Sequence, residues 1–269
     1  MNLRDCQQAT AQIHAGSGAV VGTGFLIAKQ YLLTCAHVVQ AALAGQPDGL
    51  NQTVTATFSM AQPERVCSTR VICYELHELD DPDPEKRRRD FAVLYIAEPL
   101  SIEPVAMRPL AQLSDLPVKS YGFPKGDRLG RHLEAAIAGE VGAGWVQLQG
   151  TETGLAIEAG FSGAPVWCAR QTAVIGMIVA RDRKRPEAKT GFMIPVAKLQ
   201  RPLRAVEWHS LWQILAADQA EAAQPMAAAY QHCRPEHWPQ PWQTALLQQL
   251  QDLAEMPAGQ TADPPDKHC

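Results

Sequence analysis

Long apolar runs are missing from this sequence: no stretch approaches the roughly 18 consecutive apolar residues that cross a bilayer. The opening residues, Met1 to Gln8, hold no apolar signal core. The expectation is a cytoplasmic chain with no membrane role. Basic charge is not in excess either: 24 Lys and Arg stand against 28 Asp and Glu, for a net charge of -4. A nucleic-acid partner is therefore not expected, because that function needs a basic footprint to neutralise phosphates. The seven cysteines, at 6, 35, 67, 73, 168, 233 and 269, are odd in number and form no Cys-x-x-Cys pair. Reduced thiols are expected, and no metal site, since cysteines and histidines do not cluster at ligand spacing. No Gly-x₄-Gly-Lys-Ser/Thr loop and no His-Glu-x-x-His occurs, which argues against nucleotide and metal enzymes, and no cofactor is expected.

What remains is a chain that is 46% hydrophobic, rich enough for a sizeable core. From residue 18 to 100 it reads as short strands separated by turn residues: Val20-Val21 through a tight hairpin at Gly22-Thr23-Gly24 into Phe25-Leu26-Ile27, then Tyr31–Thr34, Thr53–Met60, Arg70–Leu76 and Phe91–Ile96. Thr53 to Phe58 alternates with a period of two, as a half-buried strand does. Ala36 to Ala44 is the only helical stretch expected in this half. The acidic and basic run from Asp80 to Arg89 reads as a solvated loop, its prolines and missing glycine spoiling a calcium-loop pattern. A second set of strands follows at Val118–Tyr121, Leu133–Ala138, Trp145–Gln149, Leu155–Glu158, Pro165–Cys168, Val174–Ala180 and Gly191–Ile194. Many short strands with Gly and Pro turns, in two groups, predict two barrels or packed sheets.

Composition changes near residue 201. Residues 207–256 are rich in Ala, Gln, Leu and Trp with helical periodicity, cut by prolines into about three helices. Their tryptophans, 208, 212, 238 and 242, are expected in packing. Pro257 to Cys269 reads as a disordered tail. The expected division is 1–204 for the strand-rich domain (barrel one about 8–100, barrel two about 101–204), 205–256 for a helical associated domain, and 257–269 for the tail.

Three short motifs carry chemistry. Gly160-Phe161-Ser162-Gly163-Ala164-Pro165 offers a hydroxyl on a glycine-permitted turn, where the N–H groups of Gly160 and Ser162 would form an oxyanion hole. Thr34-Cys35-Ala36-His37 runs from a strand into a helix start, with His37 as general base and then general acid. Asp90-Phe91-Ala92-Val93-Leu94 sets a carboxylate at the edge of a core, where it can orient an imidazole. Each motif has an ordinary structural explanation alone; the order His, Asp, Ser gives them weight together.

Taken with Gly22-Thr23-Gly24-Phe25-Leu26-Ile27 and Tyr121-Gly122-Phe123-Pro124, these motifs resemble the chymotrypsin-fold serine proteases over about residues 15–200, most of all their bacterial, disulfide-free branch near the Deg-type proteases. The resemblance implies a mainly β, two-barrel chymotrypsin-like fold with a small C-terminal α-helical extension, and serine endopeptidase activity on a protein substrate. By position it also implies a primary substrate pocket with its base near Ala156 and walls near Val179, Ala180, Gly191 and Phe192. An apolar base would favour an uncharged side chain, though Glu158 and Asp182 lie close enough in sequence to select a basic one. Tyr-Gly-Phe-Pro, Gly-Phe-Ser-Gly-Ala-Pro-Val-Trp and Phe-Met-Ile-Pro further resemble protease modules of bacterial conflict or defence systems, often joined to helical adaptors, which implies a regulatory protein partner through 205–256. The sequence departs from secreted trypsins at Phe161, where those carry an activating aspartate, and at Val38, where they carry a disulfide cysteine. No Gly-Leu-Gly-Phe motif follows residue 200, so Deg-type chaperone cycling is not implied. A binding protein on a protease scaffold is the rival expectation.

Overall fold

The structure, a computed structural model, describes residues 2–46, 48–77, 89–124, 127–150, 158–181 and 189–218. It is mainly β. Barrel one comprises β1 (Thr10–His14), β2 (Val20–Ala28), β3 (Tyr31–Thr34), β4 (Thr53–Phe58), β5 (Arg65–Leu76) and β6 (Asp90–Ile96), with α2 (Ala36–Ala42) between β3 and β4. The strands run in the order β1-β2-β3-β6-β5-β4 and close where Gln12 of β1 pairs with Thr57 of β4. Barrel two comprises β7 (Pro117–Gly122), β8 (Arg131–Val141), β9 (Trp145–Gly150), β10 (Pro165–Cys168), β11 (Ala173–Arg181) and β12 (Thr190–Pro195). Its order is β10-β11-β12-β9-β8-β7, closed where Val166 meets Ser120. Every strand pair is antiparallel, and consecutive strands such as β1–β2 and β4–β5 pair as hairpins. Closure removes the open edges that would otherwise template aggregation.

Inward residues alternate as the sequence predicts in β4, where Val54 and Ala56 are buried between exposed Thr53 and Thr55. β5 begins at Arg65, not Arg70. Its first half buries only Cys67 and Thr69 and shows Arg65, Val66 and Ser68 to solvent, a polar face that reads as loop. Two elements escaped the sequence reading. The six residues of α1 (Leu3–Gln8) are held by Asn2, whose Oδ1 accepts the Asp5 N–H at 3.0 Å while Asp5 Oδ2 accepts the Asn2 N–H at 2.7 Å, a reciprocal cap. β1 buries Thr10, Ala11, Gln12 and Ile13 in succession, so it shows no period of two. The expected hairpin at Gly22-Thr23-Gly24 is also corrected: all three residues lie inside the continuous strand β2. A Cβ on Gly22 would press on the Val38 methyls at 2.6 Å, so this glycine serves close approach of α2, not a turn.

Barrel one ends in a buried carboxylate. Glu75, with its side chain only 8% exposed, lies 2.6 Å from Arg201 Nη2, 3.2 Å from Arg89 Nη1 and 3.6 Å from His77 Nε2. Such burial of an acid is sustained only by partners of opposite charge. The chain divides into a unit of Met1–Pro202 and a unit of Leu203–Cys269. A 19-residue helix, α3 (Gln200–Asp218), runs across that division; the further helices expected to 256 and the tail beyond lie outside the described residues.

Five cysteines, at 6, 35, 67, 73 and 168, are buried and form no disulfide among the described residues. Burial, helped by Asp5, pushes the Cys6 thiol from 9.0 up to about 12. The folded chain thus keeps a proton that the unfolded chain gives up, and the resulting stability is complete below pH 9.0 and lost as pH rises towards 12. Thermal unfolding followed by circular dichroism should show the midpoint falling across this alkaline window, and falling less steeply in Cys6→Ala.

Candidate active site

The pairing of Thr34 with Ala92 sets the end of β3 beside the beginning of β6. The chain turns into α2 immediately after β3, so His37, second residue of that helix, falls next to Asp90, first residue of β6. Asp90 uses both carboxylate oxygens on that one residue. Oδ2 lies 2.5 Å from His37 Nδ1, and Oδ1 accepts the His37 backbone N–H at 3.0 Å. Ring and carboxylate are thereby fixed against rotation relative to each other. The Asp90 side chain is 11% exposed and that of His37 38%, so the acid is shielded while the imidazole still reaches solvent.

Ser162 is the second residue of the second of two consecutive turns, which share Phe161. The Phe161 N–H donates to the Glu158 carbonyl at 3.2 Å, and the Ala164 N–H donates to the Phe161 carbonyl at 2.9 Å. Gly160 (φ 106°) and Gly163 (φ 87°) occupy the third position of each turn, where a positive φ favours glycine. Among the described residues the N–H groups of Gly160 and Ser162 donate to no acceptor. Ser162 Oγ donates to the Val179 carbonyl at 3.3 Å, and among the described residues it makes no hydrogen bond to the imidazole. Val179 is the residue skipped where β11 pairing steps from Ile178↔Met193 to Ala180↔Phe192, and this bulge leaves its carbonyl outside the ladder. Phe161, in the place of the trypsin aspartate, is fully buried in the barrel-two core with Leu133, Ile137 and Val166.

A single residue of barrel one touches most of this turn. Thr23, fully buried in β2, donates its N–H to the Ser162 carbonyl at 2.9 Å and its Oγ1–H to the Gly160 carbonyl at 2.7 Å. Its Oγ1 accepts the Phe123 N–H at 3.2 Å, and its carbonyl accepts Thr34 Oγ1 at 2.6 Å. Sequence reasoning missed Thr23 as a site residue; the signal available was a hydroxyl between two glycines on a strand, read instead as a turn. Two residues before His37, Cys35 Sγ donates to the Ile178 carbonyl at 3.3 Å, beside Val179. The histidine helix and the serine turn therefore meet at the seam between barrels.

The pocket residues are placed unequally. Val179 is buried at the β11 bulge with its carbonyl at the Ser162 hydroxyl, Gly191 is buried in β12 opposite Arg181, and Ala180 pairs with Phe192. Phe192 packs its ring on Trp145, with centroids 6.0 Å apart. Ala156 and Asp182 lie outside the described residues, and Glu158 is exposed. Cys35, His37 and Asp90 each offer a ligand atom within 4.8 Å of the others. Burial, and then the nearby Asp90 charge, push the Cys35 thiol well above its ordinary range. The thiol donates to the Ile178 carbonyl, while His37 Nδ1 is bonded to Asp90.

The trypsin-like peptidase domain model matches residues 22–177, more than half of the chain, and the chain belongs to that family, whose members are serine endopeptidases. No curated protein matches the sequence. Solved structures with the same fold include the serine endoprotease from Yersinia pestis (16% identity, TM-score 0.55, covering 76% of this chain and 66% of that one). The Rv3671c protease from M. tuberculosis in its active form is 19% identical (TM-score 0.54, 76% of this chain and 82% of that one). Neuropsin, a serine protease expressed in the limbic system of mouse brain, is 16% identical (TM-score 0.58, 76% and 96%). These likenesses establish the two-barrel fold; this chain spans just under two thirds of the Yersinia protein.

A Cβ on Gly163 would overlap the Thr23 carbonyl oxygen and come within 2.6 Å of Thr34 Oγ1, on a backbone that disfavours side chains. Gly163→Ala should cost on the order of 3 kcal/mol by overpacking and backbone strain together, read as a shift of the urea unfolding midpoint.

Proposed function

We propose that His37, Asp90 and Ser162 are the catalytic triad of this serine endopeptidase. The observation that carries the assignment is the two-point hold of His37 by the shielded Asp90. Ser162 Oγ leaves the Val179 carbonyl by a side-chain rotation, gives its proton to His37 Nε2 and attacks the scissile carbonyl. Asp90 holds the ring and stabilises the imidazolium, and the N–H groups of Gly160 and Ser162 receive the oxyanion. His37 then protonates the leaving amine, and water clears the acyl-enzyme by the same steps in reverse.

The substrate is a cytoplasmic protein, entering with an uncharged side chain among Ala156, Val179, Ala180, Gly191 and Phe192. Buried Val179 and Gly191 support an apolar pocket. The cytoplasmic setting is supported by buried cysteines that form no disulfide among the described residues. A regulatory protein partner engages 205–256, and the chain serves a bacterial defence or signalling system; the motif resemblance and the composition of the helical segment support this. One observation favours the rival reading of a binding protein on a protease scaffold: the serine hydroxyl rests on Val179, away from the imidazole.

Intact mass after treatment with a fluorophosphonate distinguishes the two. A single adduct on the wild type that vanishes in Ser162→Ala establishes the nucleophile; no adduct on the intact chain favours the scaffold. Asp90→Asn should retain the fold and lower turnover on a cleavable protein by about 10⁴-fold through loss of the ring's correct tautomer.

A further inference from the structure

We infer that Thr23 is a positioning residue for the peptidase reaction, its hydroxyl holding the oxyanion-binding turn in its working form; the inference rests on the triad assignment above. Nothing in the family match or in the motif reading gives this residue a role. Gly160, with its positive φ, is the third residue of the Glu158–Phe161 turn. Turns of this kind interconvert by rotating the central peptide, the one that carries the Gly160 N–H, and glycine opposes that rotation least of all residues. A rotated peptide would present a carbonyl where the oxyanion needs a donor. Something must also seat this turn against barrel one, which carries His37.

Thr23 is placed to do so. Its hydroxyl grips the Gly160 carbonyl at 2.7 Å and its N–H grips the Ser162 carbonyl at 2.9 Å. The first grip fixes the peptide between Gly160 and Phe161, and the second fixes the peptide between Ser162 and Gly163. The two N–H groups aimed at the oxyanion belong to the peptides that precede each gripped plane. Both planes are thereby tied to barrel one, which carries His37, and the two residues that bear these N–H groups are held in register with the imidazole. The hydroxyl is itself oriented: its lone pair accepts the Phe123 N–H at 3.2 Å, so its proton is committed to Gly160. Its strand is anchored in turn by Thr34, which donates to the Thr23 carbonyl. Thr23 touches no reacting atom, so its effect belongs on the chemical step and not on binding.

The test uses the intact chain and a fluorophosphonate, whose phosphorus gains the Ser162 Oγ bond and loses fluoride while its oxygen occupies the oxyanion site. The limiting rate of inactivation and the probe's half-saturating concentration are measured separately, beside the melting temperature. Direct loss of an oxyanion donor costs about 10²–10³-fold; for a residue one bond removed the expected loss in Thr23→Val is about 10–10²-fold in the limiting rate, with half-saturation within about threefold. Thr23→Ser, which keeps the hydroxyl and drops the methyl, should react within about threefold of wild type even where its melting temperature falls. A wild-type rate in Thr23→Val overturns the inference. So does a serine variant as slow as the valine variant, which would make methyl packing the cause. Thr23→Ala replaces the valine variant, with the same two readings, if the latter does not fold. An unlabelled wild type is a different failure: it removes the triad assignment first and this inference with it, whereas a labelled wild type with an indifferent Thr23→Val removes this inference alone.

Discussion

The Thr23 carbonyl and Gly163 are packed so closely that no side chain fits between them. That contact joins the two barrels at the residue following Ser162. A closed barrel has no edge strand to offer a neighbour, so two closed barrels must associate through side chains and the few backbone groups left outside their ladders. Here the groups outside the ladders are those of the serine turn, and barrel one meets them with the middle of β2. Cohesion of the domain and shape of the site are consequences of the same few hydrogen bonds.

The order of the strands accounts for the rest of the site. β3 pairs with β6, not with the next strand in sequence, because α2 and the β4–β5 hairpin are inserted between them. The insertion brings a helix start and a strand start together from residues 53 positions apart. On the other barrel, a one-residue bulge at Val179 frees a carbonyl next to the serine. Each device uses backbone geometry to aim a polar group that sequence alone places only approximately.

This explains what could be read in advance. His37, Asp90 and Ser162 stand out because each breaks a local apolar pattern at an element boundary, and boundaries between strand, helix and glycine turn are marked by composition. Strand spacing left two barrels or packed sheets open, and the resemblance to chymotrypsin-fold proteases selected the two barrels that the structure shows. β1 was not, because Gln12 is buried within it: its amide donates to the Arg128 carbonyl at 2.7 Å, a partner 116 residues away. α1 was not, because six residues carry too little periodicity and the Asn2–Asp5 cap was the only mark. Gly22-Thr23-Gly24 was misread for the opposite reason. Its local preference for a turn is real, and close packing against α2 and the serine turn overrides it.

The same seam has a consequence for how the polypeptide can be divided. Barrel one carries His37, Asp90 and Thr23; barrel two carries the serine turn and Val179. Neither half holds a complete working centre. On the proposed triad, a break in the segment that links β6 to β7 would part His37 and Asp90 from Ser162, and hydrolysis would then require the two barrels to meet again. The architecture thus lends itself to a complementation sensor, in which hydrolysis reports the meeting of whatever proteins the halves are fused to.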